Sequence, residues 1–469
     1  MKQNESSRRD FLKTSGVLTA AGVGLTSGLG ISRSAHAQGT DLIKIALVGC
    51  GGRGRGAVED RLDVGDNVKL VAVADAFEGS AKGAAGAFSA NEKFTGKVDL
   101  GNNENVFFGF DAYKKAIDAC DQVLIATPPG FRPEHYAYAV EQGKHVFMEK
   151  PLTTDAKGFR MLMAANQVAE DKKLTVVVGL QRRHGFDYKE WVSRIHDGAI
   201  GDLSYTRVYW NNSGDIWFRG RSANESEMQY QMKNWYHFNW LCGDNICEQH
   251  IHNLDVGNWI HSKGDKLCHP VKAYGMGGLA SRQMIESKKE SEIFDHHFVE
   301  FVYEDGTRMF SQCRMNDPGN VWGSVSEHAH GSKGFGSACW LNFNDGRERW
   351  NYRGPGSNHF KQEHVDQSEA IRKGEAMHDG WYGATSSMIA VMGRMATYSG
   401  REISWDEVVE KGTSAFPYGK ELAWDSETPT KLNADGRYDI AIPGRFDPYA
   451  GDVVASADTP RRGNRNRPQ

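Results

Sequence analysis

Several things are missing from this sequence, and each absence excludes something. There is no excess of charge: 56 basic residues face 60 acidic ones in a chain of 469. Neither nucleic acid nor an acidic surface is therefore implied as a partner. No internal repeat is visible. The seven cysteines, at positions 50, 120, 242, 247, 268, 313 and 339, share no spacing, so no disulfide framework is expected. Beyond the N-terminal forty residues no apolar run is long enough to cross a bilayer. No His/Cys set has the spacing of a zinc signature, and the H-x-H at His250 and His252 would put its rings on different sides of a helix. No metal is expected.

What is present begins with the N-terminus. It reads SSRRDFLK, then a Gly-, Ala- and Thr-rich apolar stretch over 14–31, then Ala35-His36-Ala37. Twin arginines at Arg8 and Arg9 ahead of Phe11 and Leu12 match a twin-arginine export signal with a small-x-small cleavage site. Residues 1–37 are read as the signal and Gln38 as the mature start. The interrupting Gly and Thr weigh against a membrane anchor. The expected location is periplasmic, with the twin-arginine machinery as a partner and no stable membrane insertion. That route carries folded proteins, which suits scattered cysteines that stay reduced in the cytosol. At the other end, residues 446–469 hold Arg461, Arg462, Arg465 and Arg467 among Pro, Gly and Asn and read as a disordered basic tail.

Between these ends the hydrophobic pattern changes once. IKIALVG is a buried strand, GGRGRGAVEDRL opens a helix, and VKLVAVAD is a strand ending at Asp75. QVLIATPP, KHVFME and LTVVVGL follow, with helical segments between them. Alternating strands and helices mean βαβ units and a parallel sheet. Past residue 200, DLSYTRVYW, EIFDHHFVEFVYE and TRMFSQCRM alternate apolar and polar, with EDG as a hairpin turn. The fold class is α/β. A Rossmann dinucleotide-binding domain over 38–175 precedes an α+β domain over 176–445 with a large, mostly antiparallel open sheet. The 12 Trp, 16 Tyr and 22 Phe suit a ligand with polar-ringed faces such as a carbohydrate, though aromatics also fill cores.

Gly49-Cys50-Gly51-Gly52-Arg53-Gly54 is a G-x-G-x-x-G that follows a strand and opens a helix. Such glycines let backbone approach a pyrophosphate at the helix N-terminus. Asp75, at the end of the next strand, would accept from a ribose 2′-hydroxyl and repel a 2′-phosphate, so NAD is favoured over NADP. The alternative is a tight turn with Asp75 as a cap.

Glu149-Lys150-Pro151 ends the strand KHVFM. Together with GCGGRG, LIATPP and a later histidine-bearing helix, it makes the chain from Ile43 to about Pro443 resemble the Gfo/Idh/MocA oxidoreductases. The resemblance implies that Lys150 reaches both the nicotinamide ribose and a substrate hydroxyl, beside Glu149, and that the Lys150–Pro151 bond is cis. It implies a D-x-x-x-H in which the histidine is the acid/base; the matching residues here are Glu248 and His252. As a helix, the segment 243–255 would put Glu248, His252 and Asp255 on one face. The resemblance also sets Thr127, Pro128, Pro129, His135 and Gln181 beside the cofactor, and Arg183 beside the substrate. Trp210, Trp217 and Arg219 could line a sugar site, with Asp255 alongside.

Export adds a constraint. NAD is made and recycled in the cytosol, so an exported enzyme must carry it out bound and restore it on each cycle. The expectation is an exported, NAD(H)-retaining oxidoreductase acting on a secondary hydroxyl of a sugar or glycoside. The alternatives are an NAD-dependent, redox-assisted glycosidase and a non-catalytic sugar-binding or sensory protein. The family's sheet face commonly pairs subunits, which implies a homo-oligomer.

Overall fold

Continuous apolar runs followed by glycine turns produce a parallel sheet buried on both faces. Its strands are β1 (Ile43–Val48), β2 (Val68–Asp75), β3 (Val106–Phe108), β4 (Gln122–Ile125), β5 (His145–Met148) and β6 (Val176–Val178). All neighbours pair in parallel, in the order β3-β2-β1-β4-β5-β6. This is the doubly wound order, and its switch point lies between β1 and β4, at whose carboxyl ends ligands bind. The computed structural model describes residues 42–65, 67–212, 216–280, 290–315 and 321–449. The export signal and all but four residues of the basic tail lie outside them.

The second sheet is mixed. It comprises β7 (Leu203–Asn212), β8 (Lys272–Gly278), β9 (His296–Val302), β10 (Arg308–Met315), β11 (Ser324–Gly331), β12 (Gly334–Ser337), β13 (Trp340–Phe343), β14 (Trp350–Asn351) and β15 (Ile403–Ser404). Its order is β14-β13-β12-β11-β7-β10-β9-β8-β15. Only the β7–β10 pair is parallel; the EDG turn joins β9 to β10 as an antiparallel hairpin. Strict alternation along β10, with Met309, Ser311, Cys313 and Met315 buried, leaves one face covered and one open. Helix Gly380–Ser399, buried along nearly its whole length, lies on the covered face. It also touches β6, so one apolar core runs from Ile125 and Val178 through Leu152 and Met388 to Val299 and Phe301.

The domain boundary is less simple than a cut at residue 175. β6 pairs with β5 across that cut. Helix His359–Lys373 returns to the parallel sheet, where Gln367 accepts from Gln122 at 2.7 Å and donates to the Val146 carbonyl at 2.8 Å. The chain recrosses because the β5–β6 edge has apolar surface that its own helices leave bare. The tail assignment from 446 also starts too early: Phe446 is buried against Tyr398 and Phe294. All seven cysteines are free thiols. Among the described residues no helix is long and apolar enough to cross a membrane. Phe301, fully buried where the helix meets the sheet, tests this packing: Phe301→Ala should cost about 3–5 kcal/mol, read as a lowered denaturation midpoint.

Candidate active site

The glycine turn is built for close approach. Gly49 has φ +98°, and a Cβ there would lie 2.6 Å from the Ala126 carbonyl carbon; one at Gly54 would lie 2.1 Å from the Gly49 oxygen. Gly51 and Gly52 face open space instead, and helix Gly52–Asp63 starts with no side chain capping it. Backbone N–H groups at such an end attract phosphate. Asp75 accepts from Cys50 N at 2.7 Å and from Phe77 N at 2.8 Å. It thus ties the glycine turn to the end of β2, while each oxygen keeps a lone pair for a ribose hydroxyl. Thr127, Pro128 and Pro129 follow β4 directly beside Gly49. His135 lies 3.3 Å from the Thr127 hydroxyl and stacks on Tyr113 at 4.0 Å; burial pushes its pKa down to about 3. Open space at Gly51 and Gly52 among the described residues, with an acidic group at one end, fits a dinucleotide.

Arg53 is partly exposed but is held by carboxylates. Its guanidinium folds back along its own helix, Nε donating to Glu149 at 2.5 Å, with Asp60 and Glu363 each 3.7 Å away. Glu149, buried, is thereby tied to the glycine turn. Lys150 turns the other way, past a cis bond to Pro151. Its ammonium donates to the Glu248 main-chain carbonyl and, at 3.1 Å, to Glu248 Oε1. Burial raises the Glu248 pKa, opposed by Lys150 and by buried Arg132. His252 stacks on Trp210 with ring centroids 6.0 Å apart. Burial first, then Lys150 and Arg182, drives its pKa well below the usual imidazole value, so the ring is neutral. Glu248 Oε2, His252 Nδ1, Gln181 Oε1 and Trp210 Nε1 are all buried without a hydrogen-bond partner among the described residues.

Three expectations need correction. The segment 243–255 is not one helix. It breaks into Asn245–Glu248 and Ile251–Ser262 at Gln249-His250, and the Glu248 carboxylate pairs with Lys150, not with His252. His250 turns inward to Ser311 at 2.8 Å. Arg183 and Asp255 are spent on each other: Nε and Nη2 bind the carboxylate at 2.8–3.0 Å, Ser386 adds a hydrogen bond, and the guanidinium lies 3.9 Å from the Tyr382 ring centroid. They brace the site from behind. The neighbour Arg182 faces it instead, held by Glu327, which also accepts from Tyr188 at 3.1 Å and Asn253 at 2.5 Å. In a 3₁₀ turn successive side chains diverge by about 120°, so only one of two adjacent arginines can point each way. Trp217 and Arg219 are exposed and do not join the cluster; Trp217 rests on Trp235 and Tyr236. His296, His297, His328 and His330 are strand residues. A cavity of about 20 Å³ under Asp155 and Arg394 holds room for one water at most, and none of these groups line it.

Residues 43–180 match the family model GFO_IDH_MocA, described as an oxidoreductase family with an NAD-binding Rossmann fold. The nucleotide domain is a Gfo/Idh/MocA domain. Residues 5–24 match the twin-arginine translocation signal sequence. The chain is 30% identical over 200 residues to an inositol 2-dehydrogenase of Rhizobium meliloti, covering 40% of this chain and 53% of that protein. It is 26% identical over 185 residues to a glycosyl hydrolase family 109 protein of Streptomyces coelicolor, covering 39% and 36%. The match thus spans about half or less of these curated relatives. The fold is shared with the aldose–aldose oxidoreductase of Caulobacter crescentus, solved with glycerol, at TM-score 0.57 and 16% identity over 77% of this chain and 99% of that one.

Stability should respond to these buried imidazoles. His135, His250 and His261 are each held down to about 3 by burial, from an ordinary 6.5. The unfolded chain binds protons that the folded one refuses, so stability falls as pH drops below 6.5. The expected loss is up to about 2 kcal/mol per histidine at pH 5. His184, whose burial is outweighed by Asp366 and Asp379 and whose pKa rises to about 9, contributes stability that is full below 6.5 and is lost only as pH rises toward 9, so it does not cause the fall. Denaturant titrations at pH 7, 6 and 5 would show a midpoint already falling before carboxylates titrate.

Proposed function

We propose that the chain is an exported oxidoreductase that keeps NAD(H) bound and acts on a secondary hydroxyl of a sugar, cyclitol or glycoside. The observation that carries this reading is the Lys150–Glu248 pair, together with buried polar atoms on Glu248, His252, Gln181 and Trp210 that have no partner among the described residues. Unpaired polar atoms in a protein interior are costly, and a polyhydroxylated ligand would satisfy them together.

When bound, the dinucleotide supplies a hydride acceptor. The chain's residues handle the proton and the charge. His252, held neutral, takes the hydroxyl proton on its imidazole. Lys150 stabilises the alkoxide that develops, and Glu248 keeps the ammonium aimed. Arg53, through Glu149, fixes the backbone from which Lys150 projects. Trp210 offers an aromatic face beside His252. Asp75 favours NAD over NADP.

The twin-arginine signal favours cofactor loading in the cytosol, folded export to the periplasm, and an internally balanced redox cycle. Similarity to an inositol 2-dehydrogenase supports a polyol hydroxyl. Similarity to a glycosyl hydrolase family 109 protein favours a second reading on the same residues: transient oxidation, loss of the aglycone, and reduction back. A sugar-binding or sensory protein would need neither a base nor a buried ammonium. The open face of the nine-stranded sheet, where Met276 and Phe335 are exposed, is the surface through which a homo-oligomer would form.

Purified protein should carry a nicotinamide absorbance band without added cofactor. Incubation with polyols and glycosides should yield either a keto product or a released aglycone, which separates the two enzymatic readings. Lys150→Met should lower turnover by about 10²–10³-fold with the dinucleotide still bound. Turnover at the wild-type rate in that variant removes Lys150 from the mechanism.

A further inference from the structure

Residues 413–426 leave the second domain and run along the carboxyl edge of the parallel sheet. Their first anchor is Asp155, beyond β5, whose carboxylate accepts from Ala415 N at 2.8 Å and Phe416 N at 3.0 Å. Phe416 then packs edge-on against Phe131 at 4.8 Å, in the loop after β4. Gly130 there is in such close contact that a Cβ would come within 2.4 Å of the Phe416 ring. Gly419 N donates to Glu134 at 2.6 Å. Trp424 ends the run, its ring 4.7 Å from Phe77 after β2 and 4.8 Å from Phe110 after β3, while its carbonyl accepts from Ser226.

The order of these anchors is informative. They follow β5, then β4, then β2 and β3, which is the line a dinucleotide takes across a doubly wound sheet from nicotinamide to adenine. Phe77, against which Trp424 rests, is also the residue whose N–H binds Asp75, the acid suited to the adenosine ribose. We propose that residues 413–426 form a strap that closes this edge over the adenosine end of a bound dinucleotide, with Trp424 as its latch. This deepens the retained-cofactor reading and rests on it. A nucleotide leaving the cradle must displace an aromatic cluster anchored at both ends, so retention arises from slow release rather than from added contacts.

The test uses the full-length protein loaded with a fluorescent adenine-modified NAD, with release followed after dilution into excess unlabelled NAD. Trp424→Ala should speed release by at least about tenfold; Trp424→Phe should stay near wild type, since it keeps a ring against Phe77. Glu134→Ala, a surface change that frees the middle anchor, should speed release to a smaller extent. Circular dichroism accompanies each variant. If Trp424→Ala does not fold, Glu134→Ala decides, and release at the wild-type rate overturns the strap. A wild type that holds the nucleotide while folded Trp424→Ala holds it equally long sinks the strap alone. A wild type that releases it within mixing time sinks the retained-cofactor reading as well.

Discussion

One ammonium group organises the centre of this molecule. Lys150 stands at the end of β5 with its side chain only 11% exposed, and the charge that balances it is on Glu248, equally hidden, 98 residues away. Two ions withdrawn from water repay that cost only when their geometry is fixed on both sides. The parallel sheet and the second domain must therefore meet in one arrangement. The same charge lies near His252 and adds to burial in keeping the imidazole unprotonated. Arg53 plays the matching part for Glu149, so consecutive residues, Glu149 and Lys150, are drawn to opposite sides of the strand end by different partners.

Much of the frame was legible. The glycine turn, the strands of the parallel sheet and the β9–β10 hairpin each follow from local patterns that burial enforces: continuous apolar runs for strands covered on both faces, strict alternation for strands covered on one. Lys150 meets Glu248 and His252 lies against Trp210, although these residues lie in segments spread over about one hundred residues.

What was not legible was settled by competition between partners. A helix through 243–255 satisfies the local pattern, yet the chain breaks at Gln249-His250 because His250 is drawn to Ser311 in the second sheet while Glu248 is drawn back to Lys150. Choosing between Arg182 and Arg183 required knowing which of Glu327 and Asp255 each would find. The return of helix His359–Lys373 and the path of residues 413–426 carry no local signal of their destination. Their apolar residues fit equally well on any bare edge, and only the finished sheet defines which edge is bare.

That return has a consequence for how the chain is assembled. The β5–β6 side of the nucleotide sheet is completed by a helix synthesised roughly two hundred residues later, and its carboxyl edge by a stretch later still. These particular contacts of the first domain therefore cannot close until the later segments have been made. Contacts of such long sequence separation form slowly, leaving apolar surface uncovered for a time. Quality control would thus act on these two later segments, whose docking signals that the bare side and edge of the nucleotide sheet are covered.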